Sequence, residues 1–502
     1  MIVLSEKQPL IVAGVFRFYE RWKSFQMQRR VSLNKNPSHL YDVIFVGAGI
    51  SGPFIAHELC KAGIDCLMLE AGKHYTRKTY PRNDLDGTSQ LYWAGGMELG
   101  QDCQIAFLRP KVVGGGSIVN QALVDRFDDD AFDSWRDQSG VDFFNESDMA
   151  PWYEKAESEI SIQTISEAFR NENANIFKQG FDKLGFTHAP LRRAQKDCKH
   201  EEGNCCIECL NGCRIGSKQS TPETVLKEAL TLGLTLIPEV EVVKISPSAD
   251  QVVVESMNGL KGKNQYRAKH LVLAAGAIGN SRLLLMSGMN KQLPAIGKNF
   301  FCHPQYMAFG IYNKEIKAHL GAFQAFKSDD AGFRKDGFKL ENVYAGPAAI
   351  AILLGNYGQA HHRYMEKLSH FACIEVCTRD TTPGSIRVKR NGKTIIDKTR
   401  NKEDLARYDK GKKIINEIFR STGAKEVVYG SFGIGLHLMG GCAIGVNPKT
   451  SVVDPEFRLH GYKNIFAADS SIFPNAPGIN PSLTIMALSK KAAADILRSI
   501  QS

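Results

Sequence analysis

From Tyr41 the chain enters an apolar run, YDVIFV, that breaks at Gly47, Gly49 and Gly52. A short apolar run bounded by glycines predicts a buried strand. The next segment, PFIAHELCKAG (53–63), has apolar residues at helical spacing and a stop at Gly63, so it predicts a helix. CLML (66–69) then predicts a second strand ending on Glu70. EVEVVKI (239–245), AKHLVLAAG (268–276) and NIFAAD (464–469) repeat the strand signature, and LARYDKGKKIINEIFRSTGA (405–424) closes a strand-rich stretch with a helix. Before all of these, Ile11, Val15, Phe18, Trp22 and Phe25 recur at helical spacing with Arg17, Arg21, Arg29 and Arg30 between them. That pattern predicts a basic amphipathic helix, either packed on the body or docked on a membrane surface or partner.

Composition narrows the class. The chain has 502 residues, 43% hydrophobic and 23% charged, which excludes wholesale disorder and leaves room for two or three domains. No apolar run reaches the roughly 18 residues that cross a bilayer. Net charge is +10, and residues 1–40 hold +5 of it. No zinc-finger, RNA-binding or helix-turn-helix pattern accompanies the charge, so we expect no nucleic-acid partner. The arm is interrupted by Gly14, Arg17 and Glu20 and lacks a cleavage site. No secretory signal is therefore expected, and the location is cytoplasmic or peripheral at a membrane.

The glycine segment has mechanical reasons for its residue types. Gly47 permits a tight turn, Gly49 lets a pyrophosphate approach the backbone, and Gly52 lets helix and strand pack closely. The helix start faces phosphate charge. Glu70 follows Gly52 by 18 positions and suits a ribose 2′-OH. No second fingerprint occurs, since Gly433 and Gly435 are followed by Leu438 at the third place. One dinucleotide is expected, FAD or NAD.

Five further blocks select between them. PKVVGGGSIVN (110–120), AKHLVLAAGAIGNSRLLLMSG (268–288), HLMGGCAIG (437–445), SVVDPEFRLHG (451–461) with NIFAADSSIFP (464–474), and GINPSLTIMAL (478–488) occur in this order. With the first fingerprint they resemble the glucose-methanol-choline (GMC) family of FAD-dependent alcohol oxidoreductases, over about residues 41–500. The closest patterns are the cholesterol oxidase-like, long-chain alcohol oxidase, and bacterial alcohol and sugar dehydrogenase branches. The resemblance implies an α/β protein: a Rossmann-like FAD-binding domain with a substrate domain built on a β-sheet covered by helices. The implied division is a basic arm at 1–40, an FAD-binding domain at 41–130, 205–300 and 430–502, and a substrate-binding domain at 131–204 and 301–429. It further implies that Gly115, Gly116 and Asn120 lie beside the flavin, Val243 (with Val242) by the adenine, and Asp469 near the phosphates and ribityl chain. GNSR (279–282) departs from the family's usual small residue followed by Pro. The apolar PAAIAILLG (347–355) suits plain core or the wall of a greasy cavity.

By the same resemblance His437 and Asn480 are the catalytic pair. The expected reaction oxidises a CH–OH group to a carbonyl, with hydride passing to flavin N5, His437 as base and Asn480 holding the substrate oxygen. The substrate is a long-chain alcohol, sterol, sugar or polyol, and the electron acceptor is oxygen, a quinone or a protein, with a dehydrogenase slightly favoured over an oxidase. Against this stand a non-catalytic flavin-binding or electron-transfer subunit and other chemistry on the same fold, such as photodecarboxylation. His303 reads as structural, and His361 and His362 as weak candidates. Cysteines cluster in CKHEEGNCCIECLNGC (198–213), where Cys205, Cys206, Cys209 and Cys213 are candidate metal ligands. An iron–sulfur cluster, a zinc site, and a disulfide or buried-thiol loop all remain open.

Overall fold

The computed structural model describes residues 39–198, 206–259 and 262–501. The amphipathic arm therefore lies outside the described residues except at its end.

A seven-stranded sheet carries the nucleotide motif. Its centre is strand Leu40–Val46, paired in parallel with Cys66–Leu69 on one side and Lys263–Leu273 on the other. Val43, Ile44 and Phe45 are fully buried. A central parallel strand is covered on both faces, which is why its sequence is continuously apolar. Thr235–Ile237 and Ile465–Ala467 extend the parallel part, and Glu241–Pro247 and Val252–Met257 add an antiparallel meander. Helix Ser51–Lys61 packs against the C-terminal helix Ser482–Gln501. There Lys490 Nζ lies 2.6 Å from both Glu58 and Glu159 and ties the C-terminal helix to Ser51–Lys61 and to the chain just beyond helix Glu146–Glu157.

A second sheet of eleven strands is organised by the 14-residue strand Lys298–Ile311. Gly433–Gly440 and Glu426–Tyr429 pair with one of its edges and Phe371–Thr378 with the other, followed by Phe338–Asn342. Helices Glu172–Leu184 and Lys402–Ser421 cover one face, with Ile415, Ile418 and Phe419 entering a core shared with Phe177 and Phe181. Gly310 and Gly411 let them approach, because a Cβ would lie 2.5 Å from Phe419 and 2.4 Å from Val376 respectively. PAAIAILLG forms helix Pro347–Leu353, whose Ile350 and Leu353 belong to this core. Strands Glu98–Leu99, Ile105–Phe107 and Gly433–Gly440 join the second sheet although they flank nucleotide-motif segments in sequence. Among the described residues no helix is long and apolar enough to cross a membrane.

Candidate active site

The glycine turn is built as its spacing requires. Gly47 has φ +106°, and a Cβ there would sit 2.3 Å from the Ala274 carbonyl oxygen. A Cβ on Gly52 would lie 2.5 Å from the Gly47 oxygen, whereas one on Gly49 would meet no protein atom within 4 Å. Gly115, at φ +50°, lies against the same turn, with its would-be Cβ 2.7 Å from Gly49 Cα. Gly116 opens the short helix Gly116–Val119 beside it. Helix Ser51–Lys61 begins with no side-chain cap and no acid in its first turn, and Ser51 Oγ is buried without a partner. Open backbone, free amides and an orphaned hydroxyl fit a pyrophosphate.

Glu70 already accepts from two backbone amides, Ala48 N at 2.9 Å and Gly72 N at 2.7 Å. It braces the turn from behind, and burial raises its pKa despite those amides. Val243 lies on the strand reached three residues after Val240, whose amide donates to the Glu70 carbonyl at 2.8 Å. Asp469 accepts from Gly276 N at 2.6 Å and from Ser471 N at 2.8 Å, and Asn280 Nδ2 reaches both its oxygens. The departure at GNSR thus supplies the amide that anchors Asp469. Asn120 Nδ2 donates to Ser482 Oγ at 3.4 Å, which joins the second glycine turn to the loop of Asn480.

His437 sits where strand Gly433–Gly440 bulges. Phe301 pairs with Met439 but His303 with Leu436, so the His437 strand carries one extra residue. His437 takes φ +53°, which a non-glycine residue rarely adopts and which costs about 1–2 kcal/mol. Bulges re-aim side chains, and this one turns the imidazole toward His303, with Nδ1 atoms 3.0 Å apart. The Gly478 amide donates to His303 Nε2 at 3.0 Å. His303 therefore carries its proton on Nδ1 and donates it to His437, whose own proton sits on Nε2. Burial, then the charge of Lys339, push the His437 pKa down to about 3. Burial, then His437, push that of fully buried His303 well below 6.5. Both rings are neutral at pH 7.

Two residues near the pair were not expected to act there. His303, read as structural, touches His437 directly. Lys339 Nζ donates to Asn480 Oδ1 at 2.5 Å and pairs with Glu341 at 2.5 Å and Asp125 at 3.3 Å. Its strand reads FKLEN, and the alternation of apolar and charged residues is visible in sequence, but such a face ordinarily points to solvent. Here it is inside. Lys339 lies directly opposite Cys377, and Glu341 opposite Glu375, with Gln305 across from Cys377 on the long strand. Although burial opposes the charge, Glu341 and Asp125 hold Lys339 as an ammonium. Burial and Glu341 push the Glu375 carboxyl well above its usual range.

The family model for GMC oxidoreductases matches this chain at residues 41–305 and, for its C-terminal part, 386–489. The chain belongs to the GMC oxidoreductase family. It is 25% identical to an uncharacterised GMC-type oxidoreductase of Sinorhizobium fredii, covering 93% of this chain and 96% of that one. It is 26% identical to a long-chain-alcohol oxidase of Arabidopsis thaliana, covering 89% and 67%. The fructose dehydrogenase large subunit of Gluconobacter japonicus is 24% identical, covering 92% and 98%. Among solved structures, pyridoxine 4-oxidase superposes with TM-score 0.68 at 18% identity, covering 91% of this chain and 99% of that one. A formate oxidase of Aspergillus oryzae, solved in a study of its FAD modification, gives 0.69 at 14%, covering 91% and 98%.

In this GMC oxidoreductase the cysteine loop lies behind the second glycine turn. Lys218 Nζ donates to the Cys209 carbonyl at 2.6 Å and the Asn120 carbonyl at 3.0 Å. Cys206 Sγ accepts from Arg193 at 2.9 Å. The Cys209 thiol, donating to Cys213, holds the Cys213 pKa down to about 5. Cys205 lies outside the described residues. Among the described ones, Cys206, Cys209 and Cys213 do not bring three sulfurs within 4.8 Å of one another. The described cysteines thus form no single-ion ligand group, and none of the relatives named above adds support for an iron–sulfur cluster.

Proposed function

We propose that this GMC oxidoreductase oxidises the CH–OH group of a small-molecule alcohol with FAD as its cofactor. When bound, FAD supplies the hydride acceptor. Gly47, Gly49, Gly52, Gly115 and Gly116 would hold it through backbone, with Asn120, Glu70, Val243 and Asp469 around its remaining parts. The arrangement of His437 carries the reading: a neutral imidazole is held at Nδ1 by His303, and its Nε2 has no hydrogen-bond partner among the described residues. That nitrogen is the one to meet the hydroxyl. In the tautomer that Gly478 selects, Nε2–H donates to the substrate oxygen. To take the hydroxyl proton, His437 must instead carry its own proton on Nδ1, which requires Gly478 to release His303. Asn480, held at its carbonyl by Lys339, presents its NH₂ group to the same oxygen.

Relatives and fold neighbours named for long-chain alcohols, fructose and pyridoxine supply the probes. Oxygen, a quinone and a protein acceptor are all compatible with these residues. A basic arm at 1–40 is our candidate for contact with a membrane surface or an acceptor protein, on sequence grounds. The test is anaerobic flavin bleaching with dodecan-1-ol, D-fructose, pyridoxine and cholesterol, in wild type and His437→Ala. We expect bleaching by at least one probe and a loss of about 10²–10⁴-fold in the variant, the usual share of acid–base catalysis. A variant that bleaches at the wild-type rate refutes the assignment. Reoxidation by air against a quinone then separates oxidase from dehydrogenase.

A further inference from the structure

Beside the catalytic pair, the second sheet buries a lysine that compensates two buried carboxylates and also reaches Asn480. Lys339 is the second residue of strand Phe338–Asn342, whose apolar alternates, Phe338 and Leu340, fill the helix-covered core. Its ammonium faces the other way, toward Asn480, with Asp125 and Glu341 behind it. An ammonium donates and cannot accept. It therefore selects the Asn480 carbonyl and turns the NH₂ group away from itself.

We propose that Lys339 is a positioning residue for alcohol oxidation, which fixes the orientation of the Asn480 amide so that its NH₂ group meets the substrate oxygen. The proposal rests on the alcohol-oxidising reading above. An amide free to rotate would offer its oxygen as often as its nitrogen, and once the hydroxyl proton leaves, the substrate oxygen only accepts and an amide oxygen facing it would repel it. Lys339 also places a permanent positive charge near His437 and contributes to keeping that imidazole neutral. The other titratable groups facing His437 are His303 and Cys377 on the neighbouring strands, with Arg334 and Arg379 reaching His303. Of these, His303 and Cys377 are uncharged at pH 7, and the two arginines keep their charge when Lys339 is replaced.

The test compares FAD-loaded wild type, Lys339→Met and Lys339→Arg, with Asn480→Ala and His437→Ala alongside. Loss of the anchor misplaces one contact to the substrate oxygen, so Lys339→Met should slow flavin reduction about 10²-fold while KM changes little. Lys339→Arg restores a charged donor and should recover most of the rate. A titration of ¹³C-labelled histidines needs no substrate: with the ammonium gone, His437 should titrate at higher pH in Lys339→Met and near its wild-type position in Lys339→Arg. The titration reports the loss of the charge, and a merely structural lysine would move it too but would leave the split between kcat and KM unmoved. If Lys339→Met does not fold, Lys339→Met/Glu341→Gln removes the ammonium and its nearest carboxylate charge together, with the same expectations. Wild-type flavin reduction in Lys339→Met overturns the proposal, whatever the His437 titration does. If Asn480→Ala and His437→Ala also retain the wild-type rate, the alcohol-oxidising reading falls with it. If they lose it while Lys339→Met does not, only the role of Lys339 falls.

Discussion

The three glycines of the first turn are predicted to fail in different ways when each is replaced by alanine. At Gly47 the new Cβ would lie 2.3 Å from the Ala274 oxygen at φ +106°, so the backbone must shift. Overpacking costs about 1–3 kcal/mol and a left-handed non-glycine residue about 1–2 more, so Gly47→Ala should lose roughly 3 kcal/mol of stability. Gly52→Ala, 2.5 Å from the Gly47 oxygen, should lose about 1–3 kcal/mol. Gly49→Ala meets nothing within 4 Å, and its φ is outside the left-handed region. It should fold as well as wild type or gain about 0.4–1 kcal/mol through the unfolded chain. Its methyl group instead occupies the space into which a pyrophosphate must come. A contact of that kind is worth about 1–3 kcal/mol, so FAD should bind roughly 10- to 100-fold more weakly. Urea unfolding of the FAD-free proteins and quenching of flavin fluorescence on titration separate the two effects. A Gly49→Ala protein that binds FAD as tightly as wild type refutes the placement of the phosphate cradle.

Two further outcomes concern stability. Lys490 holds Glu58 and Glu159 at 2.6 Å beside buried His57, so Lys490→Met leaves the two carboxylates to half-exposed Lys61, at 3.4 and 3.6 Å, and should lose about 1–3 kcal/mol in urea unfolding. Burial raises both carboxyls, but Lys490, with Lys61 and His57, outweighs it and holds them below 4.5. A depressed folded pKa means stability that is full above 4.5 and lost as pH falls through the folded value, and this acid-side loss should shrink in the variant. His303 is the opposite kind of group, a base whose protonated form the fold excludes. Its contribution is full above about pH 6.5 and should fall by roughly 1.4 kcal/mol per pH unit below it. Thermal melts at pH 7.5, 6.5 and 5.5 should therefore show a steeper acid decline in wild type than in His303→Asn, and equal slopes would contradict a neutral buried His303.

Residues whose role is local could be read from the chain alone. Gly47, Gly49 and Gly52 are set by a local turn, and the Gly52 clash with the Gly47 oxygen follows from it, whereas the Gly47 clash comes from Ala274 at the end of the neighbouring strand. Family motifs likewise pointed to His437 and Asn480. What escaped depends on contacts between distant segments. His303 and His437 are 134 positions apart, and Lys339 and Asn480 are 141 apart. Glu70 and Asp469, expected on the cofactor side, are both engaged by backbone amides, and neither brace has a signature in sequence.

The sequence by itself determined the family, the strand–glycine–helix unit and the identity of the catalytic candidates, because each is written in short-range spacing and side-chain type. Tertiary structure decided which tautomer His437 presents, which way the Asn480 amide is held, and that the charged face of FKLEN points inward. Periodicity shows that one side of a strand is polar, but not whether solvent or an active site lies beyond it. Only the packing of a second sheet, with helices on its apolar side, buries Lys339 with Glu341 and Asp125 and makes that charge available to the site.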